Sequence, residues 1–216
     1  MTDIPQPPEF DAAFRDRLLE LFRWRRDVRS FQRTPVSDET LHGLFSLANL
    51  APSVGLSQPW RFVLVDDPVR RAVVRASFEA CNAEALAAQD QSRAALYARL
   101  KLAGLDDAPV QIAVCAVDAP EQGGGLGRLT MPETTAYSAV MAIHTIWLAA
   151  RAMGLGMGWV SILDPAAVVA ALDIPPAWKL VGYFCLGYPA AESLTPELER
   201  LGWERRSASG PELLRR

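Results

Sequence analysis

The sequence predicts an α+β domain, a central sheet with helices packed against it. Three observations carry this expectation. Short apolar runs of strand length alternate with longer stretches that repeat apolar residues at helical spacing. The run Val110 to Val117 (VQIAVCAV) is continuously apolar, as a strand covered on both faces must be. Half of the 216 residues are apolar and 22% are charged, enough to build a substantial core and too apolar for wholesale disorder.

Residues 1–9 carry three prolines and read as a loose lead-in. Phe10, Phe14, Leu18, Leu21 and Phe22 then recur at helical spacing. The basic stretch Arg23 to Arg33 has no clear period. Ser37 caps the next helix, with Asp38 and Glu39 at its positive dipole end. Leu41, Leu44, Phe45 and Ala48 form its buried stripe, and Pro52 stops it. Arg61 to Val65 is a strand, ended by Asp66-Asp67-Pro68. Residues 69–104 are mostly helical, closed by Gly104. After strand 110–117 and a Gly123-Gly124-Gly125 loop, residues 134–153 form the most apolar helix and end at Gly154. Gly156 to Leu163 is a third strand, Asp164 to Leu172 a short helix, and Lys179 to Leu186 a fourth strand. Tyr188-Pro189 opens a polar extension, 188–216. A tail of that length is expected to wrap a neighbour, which favours a homodimer of one domain, 1–216, per chain.

Several classes are excluded. Lys and Arg number 22 against 25 Asp and Glu, a net charge of −3, so no global basic field attracts nucleic acid or anionic lipid. The longest apolar stretch, 136–150, is short of the roughly 20 residues a bilayer span needs. The N-terminus lacks the basic start and apolar run of a signal peptide. Cys81, Cys115 and Cys185 form no CxxC, and only His42 and His144 could join them, so no metal site is expected. These features predict a cytoplasmic protein without disulfides. No GxxxxGK[ST], GxSxG or HExxH occurs. Chemistry without a metal cluster or paired nucleophile is usually left to a cofactor.

Three segments could hold one. Arg23 to Arg33 packs five arginines into eleven residues of an acidic protein, around Asp27. Guanidinium forks suit phosphate oxygens, although such a run is as readily a solvated basic loop. Ala51 to Trp60 (APSVGLSQPW) is a rigid polar loop in which Gln58 can donate and accept at once. It serves equally as a connection anchored by Trp60. Gly154 to Ser161 (GLGMGWVS) lets a backbone approach a flat ligand, or simply joins a helix cap to a strand. Its spacing is not that of a dinucleotide fingerprint. Together they suit a flat phosphorylated cofactor such as FMN.

RRDVRSF (25–31), APSVGLSQPW (51–60), GLGMGWVSIL (154–163) and GWERR (202–206) resemble, in order and spacing, the FMN-dependent nitroreductase-like superfamily. The match spans about residues 15–206. Leu56-Ser57 stands where ordinary nitroreductases carry an asparagine. Asp27, the SVGLSQPW loop and Trp159-Val160-Ser161 are similar to the branch that fragments reduced FMN with O2 into dimethylbenzimidazole, the lower ligand of cobalamin. The resemblance implies a nitroreductase-like fold with a mixed sheet, and a homodimer with two FMN sites at its interface and the C-terminal tail exchanged onto the partner. It implies that Arg25, Arg26 and Arg29, joined by Arg205 or Arg206, hold the phosphate and ribityl end. Ser53, Ser57 and Gln58 would lie near the ribityl chain or pyrimidine edge. Gly158 and Trp159 would lie along the ring, with Val28 and Val160 completing the contact set. Asp27 and Ser161 would be the catalytic pair, residues 81–104 a lid, and a separate flavin reductase the source of reduced FMN. The alternatives are an NAD(P)H-dependent FMN nitroreductase, which keeps its flavin, and a non-catalytic flavin- or corrinoid-binding protein.

Overall fold

Alternating side chains on the two inner strands divide the protein into layers. On β2 (Val110–Val117), Ile112, Val114 and Ala116 face one apolar cluster, while Ala113 and Cys115 face another. On β4 (Trp178–Gly187), Phe184 and Leu186 join the first cluster, and Tyr183 and Cys185 the second. That period of two is the geometry of a sheet buried on both faces. The computed structural model describes residues 6–98, 100 and 103–216; part of the 1–9 lead-in therefore lies outside the described residues.

The elements in chain order are α1 (Ala12–Trp24), α2 (Asp38–Ser46), β1 (Trp60–Leu64), α3 (Pro68–Ala87), α4 (Gln91–Tyr97), α5 (Gly104–Asp107), β2, α6 (Thr134–Ala152), β3 (Gly156–Val160), α7 (Pro165–Ala171), β4 and α8 (Glu197–Arg200). The sheet order is β1-β2-β4-β3. All three strand pairs are antiparallel. The mixed character expected of the sheet is confined to one parallel bridge, between Asp27 and Met157. The first cluster packs α2 and α6 on one face; the second draws Val74 of α3 and Val168 of α7 onto the other.

Ser37 caps α2 as expected, its Oγ accepting from the Thr40 N–H at 3.2 Å. Leu41 and Leu44 are buried beneath it. The helical spacing from Phe10 gives α1, whose apolar stripe is not covered within the chain: Phe10, Phe14 and Phe22 are exposed, and no residue of α1 is buried. Other expectations need correction. Residues 69–104 are mostly helical as expected, but Gly104 does not close them. The chain breaks after α3, and Asp90 caps α4, its side chain accepting from Arg93 N. Gly104 instead opens α5, where a Cβ would stand 3.1 Å from the Phe31 ring and 3.2 Å from Cys185 Sγ. The third strand stops at Val160, three residues short of Leu163, because Asp164 and Pro165 begin α7. Buried Gln111 ties α5 to the sheet, donating to Leu105 O at 2.9 Å and accepting from Tyr183 Oη at 2.7 Å.

Candidate functional site

After α1 the chain runs extended alongside β3. Val28 N donates to Met157 O at 2.9 Å. Contact this close requires glycine at 158, where a Cβ would fall 2.1 Å from the Val28 carbonyl oxygen. The register sets Asp27 over the end of β3, so that its Oδ1 accepts from the Trp159 N–H at 2.9 Å. Arg29 Nε lies 3.7 Å from Oδ2. Burial pushes the Asp27 carboxyl above its ordinary range. The Trp159 N–H, then Arg29 and Arg25, pull against that rise. A carboxyl poised between these influences can accept and return a proton. Asp27, Arg29, Trp159 and Ser161 line one cavity of about 90 Å3 with Phe78, Asn82, Tyr97, Leu100 and Ile162. Ser161, beyond the strand end, is exposed there.

Arg25 and Arg26 turn the other way. The Arg25 guanidinium stacks 5.3 Å from the Trp147 ring centre, and Trp147 Nε1 donates to Arg26 O at 3.0 Å. Arg26 donates to Ser193 O at 3.2 Å, to its neighbour's carbonyl at 2.6 Å and to Leu194 O. Burial lowers the pKa of both guanidinium groups; the Asp27 carboxylate works against this at Arg25, and repulsion from Arg206 lowers each. Among the described residues no carboxylate lies within ion-pair distance of Arg25, Arg26 or Arg206. Arg205 is exposed, and its backbone N–H bonds Glu204.

The 51–60 loop is strained. Gly55, Leu56 and Gln58 have φ of 55°, 54° and 42°, the left-handed region that costs a non-glycine residue energy. Ser53 Oγ accepts from Gln58 N at 3.1 Å and holds the turn. Gln58 Nε2 donates to Asn49 O, and its Oε1 accepts from Gln122 at 3.4 Å. Ser57 is buried with its Oγ unpartnered among the described residues. This loop leads into β1, at one edge of the sheet, whereas Asp27 and Trp159 lie at the β3 edge. Three strand spacings separate them, roughly 14 Å.

Residues 22–188 match the nitroreductase family. The chain belongs to the nitroreductase family. It is 59% identical over 199 residues to a 5,6-dimethylbenzimidazole synthase of Rhodospirillum rubrum, covering 92% of this chain and 94% of that one. A protein of the same name from Rhodobacter capsulatus is 48% identical over 195 residues, 90% of this chain and 94% of the relative. Among solved structures, oxidized iodotyrosine deiodinase bound to FMN and 3-iodo-L-tyrosine shares the fold, with a TM-score of 0.69 and 21% identity over 92% of this chain and 97% of that one.

In this nitroreductase-family chain the residues expected to form one site fall into three groups. Asp27, Arg29, Trp159 and Ser161 converge on one cavity. Arg25, Arg26 and Arg206 form a cationic cluster, from which Arg29 is drawn away by its ion pair with Asp27. Ser53, Ser57 and Gln58 are not brought to either. Val28 and Val160 contribute backbone and core packing, Val28 against the glycine side of β3 and Val160 within the second cluster. Phe78, Asn82 and Tyr97 are not singled out individually by the sequence, although Asn82 and Tyr97 fall in the 81–104 stretch that the resemblance implies is a lid, of which residues 99, 101 and 102 lie outside the described residues. They sit in an Ala-rich helical stretch, where the Asp90 cap marks the fold-back that brings Tyr97 over the cavity.

Proposed function

We propose that this chain makes 5,6-dimethylbenzimidazole, consuming reduced FMN and O2 and releasing erythrose 4-phosphate, as the lower-ligand step of cobalamin synthesis. Near full-length similarity to relatives named for that synthesis carries the reading. The residues fit the flavin. Arg25, Arg26 and Arg206 repel one another, a concentration of like charge that a phosphate would relieve. When bound, reduced FMN supplies the carbon skeleton of the product and the electrons that O2 accepts.

The chain's own residues orient and exclude. Arg25 and Arg26, with Arg206, hold the phosphate. Gly158 and Trp159 lie along the ring. Asp27 takes a proton at ribityl C1′, its carboxyl aimed by the Trp159 N–H and Arg29. Ser161 hydrogen-bonds near flavin N5. Ser53, Ser57 and Gln58 lie at the opposite sheet edge from Asp27, and in the proposed homodimer they reach the flavin from a second copy. An apolar helix face supports such a homodimer: Tyr137 and Met141 of α6 are 56% and 45% exposed, with exposed His144 one turn on. Of the 188–216 extension expected to embrace the partner, 188–203 packs on its own chain and Arg206 lies near Arg25 and Arg26, which leaves residues 207–216 to reach the second copy. A separate reductase delivers the reduced flavin, in the cytoplasm. Among the described residues no helix is long and apolar enough to cross a membrane.

The test is a single turnover. Protein loaded anaerobically with reduced FMN is exposed to air, and the products are separated and weighed by mass spectrometry. Stoichiometric dimethylbenzimidazole is expected, lost in Asp27→Asn and Ser161→Gly. Quantitative return of intact FMN with hydrogen peroxide would overturn the reading, and NAD(P)H-driven reduction of nitroaromatics would then identify a nitroreductase.

A further inference from the structure

The C-terminal segment runs from the arginine cluster to the roof of the Asp27 cavity. It leaves β4 beside residues 30–32, where Gln32 N donates to Tyr188 O at 2.8 Å and Ala190 N to Ser30 O at 3.1 Å. Arg26 then grips the Ser193 and Leu194 carbonyls. After α8, Gly202 turns the chain at φ 78°, and Trp203 N donates back to Leu198 O at 2.8 Å. The turn delivers the Trp203 ring onto α4. It meets the Tyr97 ring edge-on at 6.0 Å, and the Arg93 guanidinium lies 5.1 Å from its centre. Tyr97 in turn donates to Asn82 Oδ1 at 3.0 Å. Tyr97, Asn82, Phe78 and Leu100 roof the cavity whose floor holds Asp27 and Ser161.

A seven-residue helix is far below the roughly 12–15 residues at which helices persist alone in water, so α4 depends on what packs against it. We propose that Trp203 is a positioning residue: through Tyr97 and Arg93 it latches α4 as the roof over Asp27, so that the strap gripped by Arg26 at one end holds the cavity shut at the other. This rests on the function proposed above for its chemical consequence, but not for its mechanics. With the roof held over bound flavin, the access of bulk water to the reacting centre is restricted. With it loose, reduced FMN and O2 leave as FMN and hydrogen peroxide, two electrons and two protons passing from flavin to oxygen with no carbon–carbon bond broken.

Hydrogen–deuterium exchange read peptide by peptide tests the mechanics on the unliganded protein. In Trp203→Ala, amides of 93–98 should exchange at least tenfold faster than in the wild type. Those of β2 and β4 should be unchanged, and Trp203→Phe should restore most of the protection. Equal exchange in α4 for Trp203→Ala and wild type would overturn the latch. If Trp203→Ala loses protection in β2 and β4 as well, Arg93→Ala with Tyr97→Leu removes the same contacts from the other side and is read identically. In the aerobic single turnover, Trp203→Ala should raise the ratio of peroxide to dimethylbenzimidazole severalfold over wild type. Faster α4 exchange with an unchanged ratio would overturn the positioning role. A wild type that returns only intact FMN would refute the proposed function while leaving the exchange comparison to decide the latch.

Discussion

Asp27 is held by a backbone donor and an arginine yet has its pKa raised, because burial outweighs both. A raised native pKa means that the protonated form folds at no cost, and that ionisation weakens the fold as pH rises through the raised value. Asp27→Asn keeps an oxygen for the Trp159 N–H and removes the charge. Its melting temperature should therefore gain on the wild type as pH climbs from about 4, the ordinary carboxylate range, towards neutrality. A pH series of thermal melts checks the sign; a gain that shrinks with rising pH would contradict it. Ser57 behaves differently. Its buried hydroxyl has no partner among the described residues, so Ser57→Ala should not destabilise and could add up to about 1 kcal/mol. Urea unfolding measures that, and a fall in FMN affinity in the same variant would separate the hydroxyl's binding role from its structural cost.

At the level of elements, the join between segment 25–29 and β3 depends on one missing side chain. Gly158→Ala places a methyl against the Val28 carbonyl, and forcing the two apart should cost about 3 kcal/mol. It would also loosen the bond from Trp159 to Asp27. Equilibrium urea denaturation should show the lost stability, and loss of turnover should accompany it. The motif made Gly158 legible in the sequence, as it did Asp27 and the arginines, while the close contact that demands glycine needs the fold. Helix caps and covered strands were equally readable: Ser37, the 110–117 run and α6 all emerge where side-chain chemistry and periodicity put them. The break at residues 88–90 was not, because alanine-rich sequence continues a helical pattern across it and the Asp90 cap is its one local mark. Nor could a sequence tell that the forks of Arg26 would grip carbonyls of the tail 167 and 168 residues away.

For the whole molecule, the decisive quantity is the width of the sheet. Motif order places residues 25–29 and 51–60 close in sequence, but strand order β1-β2-β4-β3 sends them to opposite edges. In the dimer proposed above, a site using both is shared between two copies. Chains carrying Asp27→Asn and chains carrying Ser57→Ala with Gln58→Ala should each be inactive alone. Unfolded together and refolded, they should recover about a quarter of wild-type turnover, since half of randomly paired dimers are mixed and each mixed dimer rebuilds one of its two sites. No recovery would mean that each site is complete within one chain. The same topology bears on solubility. β3 is an outer strand, and an open outer strand is a template on which other molecules can stack into aggregates. Here the segment from Asp27 to Val28 lies along it and takes up the Met157 carbonyl and the Trp159 N–H. The stretch that aims the carboxylate therefore also seals the sheet, so a lesion that releases it would surface as precipitation in the cell as well as lost chemistry.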